Sequence, residues 1–304
     1  MKTLAAALAL ALTTGCATTL STFQTARPVE PKHVQVTGGV GYYGNLGPIG
    51  TLVTQAYEQG KNAKEAIDNQ QPFVLSEEDQ QQLLTAGIGL AVMFPSSSYE
   101  VGIRTGLVEN WDVGLRYSVN AVRLDTKYRL FHQGDDPPVT PQGAPGRPSA
   151  QSRATQRSFD VALGLGVSRY LFKNPVFDAL ELVRLGDFSR WDFEVPLYMS
   201  AELGEVLKLY GAPKWVYSRT SFDQTLVDLS QQGSEVAGVD VTLPSLVHTH
   251  FFGATAGLAV GFRYVHLMLE LTAGYTVCNP VVFGQRRFLG GVTLYPAAGI
   301  GLSF

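Results

Sequence analysis

Residues 265–277 read VHLMLELTAGYTV, and taking alternate positions splits the stretch into two unlike sets. Val265, Leu267, Leu269, Leu271, Ala273, Tyr275 and Val277 form one set; His266, Met268, Glu270, Thr272, Gly274 and Thr276 form the other. Period two belongs to a β-strand with one apolar face and one polar face. Residues 111–119 repeat the pattern, with Trp111, Val113, Leu115, Tyr117 and Val119 opposite Asp112, Gly114, Arg116 and Ser118. Segments 34–42, 99–107, 123–130, 159–167 and 191–199 behave alike. Several of these runs exceed the usual globular strand and approach the ~9–11 residues of a tilted membrane-crossing one.

Composition narrows the function classes. Lys and Arg (23) nearly balance Asp and Glu (26), which leaves no basic excess for a nucleic-acid partner. Past the N-terminus the longest charge-free apolar stretch is 251–262, short of the ~20 residues a spanning helix needs. No Gly-rich phosphate loop, metal-spaced Cys/His set or internal repeat is present, so no cofactor is expected.

Residues 1–15 are expected to be an export signal: Met1-Lys2, an apolar core from Leu4 to Leu12, then small residues up to Gly15-Cys16. The end of this segment resembles the bacterial lipoprotein signal, in which a small residue precedes a Cys that is diacylated and becomes the first mature residue. That resemblance implies acylation of Cys16, with 16–32 a tether. Thr13 departs from the pattern, which has Leu three residues before the Cys, so a standard signal-peptidase cut nearby is the alternative. Cys278 then has no intramolecular partner and reads as a buried, unreactive thiol.

Periodicity alone does not separate a soluble sandwich from a membrane barrel; strand length, the export signal and the last segment do. There Val292, Leu294, Pro296, Ala298, Ile300, Leu302 and Phe304 share one face. The chain resembles outer-membrane β-barrel proteins of Gram-negative bacteria, whose closing strand carries alternating apolar residues up to a terminal Phe. At this class level the resemblance covers about residues 33–304. It implies an all-β, antiparallel, up-and-down transmembrane barrel in the cell outer membrane, in contact with outer-membrane lipids and lipopolysaccharide. It also implies a barrel-assembly machinery that reads Phe304, Leu302 and Ile300. Pro296 departs from the pattern: it cannot donate a ladder hydrogen bond, and a bulge is expected there.

Twelve strands are expected, near 33–43, 85–94, 98–107, 111–119, 121–131, 157–170, 176–185, 190–202, 206–219, 246–262, 264–277 and 288–304, with ten as the fallback. Asp178, Glu181 and Arg184 fit neither face of 176–185. With a periplasmic N-terminus, the long connections 44–84, 132–156, 220–245 and 278–287 all fall on the outer side. The first is expected to hold a helical insertion, because Leu52, Val53, Ala56, Tyr57, Ala63 and Ile67 make a rough stripe and Ser76-Glu77-Glu78-Asp79 a capping-box-like start. The second is Pro-rich, with Pro137, Pro138, Pro141, Pro145 and Pro148. A tether acylated at Cys16 would be anchored on the periplasmic side.

Two constellations could carry chemistry. His248 and His250 share one face at the i, i+2 spacing of a metal chelate or a base, but that face continues through Phe252, Leu258 and Phe262, the lipid side. An interfacial girdle is the plainer reading, and a rim-embedded lipid hydrolase the alternative. The polar parity gathers Arg104, Asp112, Arg116, Arg123, Asp125, Lys127, Arg129 and Glu270, joined by Glu100, Asp160, Asp192, Glu194 and His266. Mixed charges in a narrow lumen either pair into a filling salt-bridge network or line a polar conduit, with Arg116, Arg123, Lys127 and Arg129 favouring anions. The function classes left are passive small-solute transport and a structural or surface-interaction role.

Overall fold

The computed structural model describes residues 19–47, 96–118, 121–134, 157–170, 188–204, 206–222, 246–262, 264–282 and 285–304, with single positions between 50 and 69. The described elements are all strands: β1 (Val34–Asn45), β2 (Ser96–Val108), β3 (Trp111–Ser118), β4 (Ala121–Gly134), β5 (Arg157–Tyr170), β6 (Phe188–Leu203), β7 (Leu207–Phe222), β8 (Leu246–Phe262), β9 (Val265–Cys278), β10 (Val281–Val282), β11 (Gln285–Arg286) and β12 (Gly291–Ser303). Strands β10 and β11 form a separate two-residue ribbon. The other ten pair antiparallel, each with its neighbour, and close into a barrel through β1 and β12.

Ten strands correct the expected twelve. Segments 85–94 and 176–185 lie outside the described residues, but the ladder leaves no place for them. β1 pairs directly with β2 from Val34↔Thr105 to Tyr43↔Ser96, and β5 with β6 from Arg157↔Leu203 to Tyr170↔Arg190. Segment 85–94 alternates apolar and small residues much as β12 does and is left out by the closed ladder alone, whereas 176–185 lacks the one apolar and one polar face that the wall demands, since it carries charge on both parities. Losing the first reverses every strand from β2 to β5. Consequently 132–156 joins the end of the barrel that holds the C-terminus (the near end), opposite 220–245 (the far end). The helical insertion expected in 44–84 falls mostly outside the described residues; the described positions 46, 47, 50, 54, 57, 58 and 61 are helical, but they make up no complete helical element.

Burial is inverted relative to a soluble protein. Leu165 is 56% exposed and Leu271 50%, while Asp112 is fully buried and Lys127 1% exposed. A closed ladder removes every sheet edge and satisfies the backbone internally, which is what a strand-built wall needs in hydrocarbon.

The expected bulge at Pro296 is absent. β12 keeps one register with β9 from Gly291 to Leu302, and on the β1 side pairing merely lapses between Gly41↔Ala297 and Gly44↔Leu294 without a shift. The missing N–H therefore costs ladder bonds on one side only. The actual register shifts lie at Gly106/Val108 and Arg129/Phe131. At the seam, Phe304 and Val34 exchange backbone hydrogen bonds of 2.9 and 3.1 Å. Deleting Phe304 removes both bonds and the terminal aromatic, so the amount of chain recovered in the outer-membrane fraction should fall several-fold. Unchanged recovery would contradict that role.

Candidate functional site

The inward faces of the strands place the charges in a ring of ion pairs. Arg104 on β2 spans Asp112 on β3 and Asp125 on β4, and Lys127 lies 3.5 Å from Asp112. Arg116 meets Glu100 at 3.3 Å, and Glu194 on β6 takes Arg123 with Lys214 at 3.9 Å. Arg190 and Asp192 pair at 2.8 Å towards the far end. Towards the near end Asp160 receives Arg129 at 3.7 Å and His132 at 2.7 Å, and Glu202 receives Lys208 at 2.9 Å. All eight lumen charges read from the polar parity thus face inward. Lys214, Arg190 and Glu202 were not among them, because Pro196, Pro213 and Gly211 blur the alternation in β6 and β7.

Residues 19–32, expected to be a tether, run through this lumen. Pro31 bridges to Gly106 at the near end, and the Val29 amide donates to Asp112 at 2.9 Å. Further in, the Ala26 amide donates to the Ser200 hydroxyl at 3.0 Å, and Gln24 reaches the Tyr198 hydroxyl at 2.5 Å. The amides of Thr22 and Phe23 both donate to the Glu270 carboxylate, the first at 2.7 Å, so two successive N–H groups cradle one anion. Phe23 adopts a φ of 41°, a left-handed conformation costing a non-glycine residue about 1–2 kcal/mol, and Glu270 is the partner that holds it there. Thr19 lies against Tyr170, the last residue of β5, towards the far end.

The wall's cations are completed by carbonyls of this segment. Lys127 donates to Thr25 and Arg27 oxygens at 2.6 and 3.1 Å; Arg116 to those of Ser21 and Thr22 at 2.9 and 2.8 Å; Lys214 to that of Leu20. Ser21 also donates to Glu100. An ammonium as buried as Lys127 would cost several kcal/mol unpaired, so segment and wall satisfy each other. Room for the segment comes from glycine. A Cβ on Gly39 would stand 2.4 Å from the Phe23 ring, and one on Gly299 3.1 Å.

His248 and His250 sit on the outer wall, away from this chemistry. Tyr217 and His248 share a hydrogen bond of 2.7 Å, and both histidines stack in a cluster with Trp215, Tyr217 and Phe252. Among the described residues no group of three or more His, Cys, Asp or Glu side chains is placed to hold a metal. Cys278 is fully buried at the far end of β9.

A closed antiparallel ring, apolar outside and charged within, leaves one architecture. It is that of outer-membrane β-barrels. No family model and no curated protein matches the chain. Among solved structures it is similar to Neisserial surface protein A, at 10% identity and a TM-score of 0.31, over 90% of this chain and 96% of that one. It is similar also to the outer membrane protease OmpT of Escherichia coli (9%, TM-score 0.36, 90% and 97%) and to outer membrane phospholipase A of Escherichia coli (10%, TM-score 0.27, 91% and 97%). A surface protein, a protease and a phospholipase at such distances carry no argument about activity, and the functional reading rests on the lumen itself.

Proposed function

We propose that the chain is an outer-membrane barrel plugged by its own residues 19–32, with a structural or surface-interaction role in place of solute passage. The observation that supports this is the occupied lumen. A conduit needs a wetted path whose charges exchange partners with passing solutes. Here Arg116, Arg123, Lys127 and Arg129, the cations that would favour anions, each have a carboxylate partner within 4 Å. Purified intact chain in a planar bilayer should be electrically silent; stable current steps would overturn the reading and restore transport.

The same placement moves the lipid anchor. Cys16 is three residues from Thr19, a reach of about 10 Å, whereas the near mouth lies twelve residues from Thr19, at Pro31. The anchor on the periplasmic side finds no support, and an acyl chain on Cys16 would serve the far face. Labelled palmitate should enter the chain and be lost in Cys16→Ser; an unlabelled parent chain would remove the anchor altogether.

A further inference from the structure

Across four neighbouring strands one cross-strand row is Arg169, Trp191, Arg219 and His248, each paired in register with the next. All four face outward and are exposed. The guanidinium of Arg169 lies over the Trp191 ring at 5.3 Å, the Tyr217 hydroxyl holds His248, and Arg219 has no side-chain partner among the described residues. The acids of the same strands, Asp160, Asp192, Glu194 and Glu202, take the opposite parity and are consumed inside the barrel.

Moving from this row towards the middle of the wall, the next outward row is Val167, Phe193, Tyr217 and His250, and the one after it brings Trp215 beside Phe252. The sector therefore grades from aromatic to basic over three rows. The opposite rim is different: Trp111, Tyr128, Phe262 and Tyr264 are exposed there, and among the described residues its exposed Lys and Arg side chains are Lys32 and Arg157. A graded patch of this kind matches an amphiphile with an anionic head and apolar tails, its charge complement on the head and its aromatic belt at the start of the chains.

We propose that Arg169, Trp191, Arg219 and His248 form a binding site for the phosphate head of an anionic lipid in the leaflet at the far end. The two guanidiniums supply charge-assisted hydrogen bonds, and the Trp191 plane fixes one of them in place. The site rests on the membrane-barrel reading.

The test uses Trp111→Phe/Trp215→Phe protein, which leaves Trp191 as the sole tryptophan, folded in phosphatidylcholine discs carrying increasing phosphatidic acid. Heat-modifiable gel migration of the same sample reads the barrel independently, and its loss would count against the membrane barrel, on which the site depends. In barrels that pass, Trp191 emission should shift saturably with phosphatidic acid and not with phosphatidylcholine alone. Arg219→Gln should raise the half-saturating lipid fraction about tenfold, the loss of roughly one charge-assisted interaction. Equal titration of parent and variant, or the same shift in pure phosphatidylcholine, would overturn the site. Competition by free inorganic phosphate at equal concentration would overturn the assignment to lipid.

Discussion

Asp112→Ala is expected to destabilise the folded barrel by about 3–5 kcal/mol. Asp112 is fully buried and serves three donors: the Arg104 guanidinium, Lys127 at 3.5 Å and the Val29 amide at 2.9 Å. Alanine would leave Asp125 as the one carboxylate facing both cations, in a space closed by residues 25–29 of the plug. Breaking one side of a buried pair is costly because the stranded charge cannot recover its hydration. Unfolding in detergent, followed by the heat-modifiable band, measures the change. A loss below about 1 kcal/mol is what a hydrated pair would give, and that result would place water where the segment now lies.

Deleting residues 19–31, with the export signal and Cys16 retained, is expected to convert a silent barrel into a conducting one. The deletion removes the carbonyls that complete Lys127, Arg116 and Lys214 and the amides that cradle Glu270. Water would take their place, and the wall charges would become solvated pairs worth about 0–1 kcal/mol each. Stable current steps should therefore appear in planar bilayers, with weak ion selectivity, because acids and bases alternate around the described wall. The melting midpoint should fall as well, since the segment binds β2, β3, β6, β7 and β9 together. Silence of the folded deletion variant would mean that other residues close the lumen.

The wall was legible in the sequence because its rule is simple. An outward position is apolar and an inward one polar, so the parity of 265–277 or 111–119 assigns a face to every residue. Parity says nothing about strand direction, which is why residues 132–156 were expected at the wrong end once a strand too many was counted. The segment 85–94 drew that error because its alternation, Ala86, Ile88, Leu90, Val92 and Phe94 against Thr85, Gly87, Gly89, Ala91 and Met93, meets the parity rule as well as β12 does. Residues 19–32 carried no period at all. They are held mostly through backbone amides and carbonyls, which every residue possesses, so their sequence, TLSTFQTARPVEPK, has little to distinguish it from a tether. The weak signals were Phe23, too apolar for a solvated linker, and the glycines at 39 and 299 that make room for its ring.

That threaded segment constrains the order in which the molecule can be built. It is covalently continuous with β1, and β1 is half of the seam that closes the barrel against β12, more than 240 residues away in sequence. A finished ring could admit the thread only end-first, dragging Phe23 and a train of polar groups past paired charges. A sheet still open at the seam can instead curl around the segment, which already offers hydrogen bonds to strands on several sides. The plug then acts as a mandrel, shortening the search by which the two most distant strands find each other. Closure and plugging become a single event, and the seam cannot part without loosening the thread it encloses.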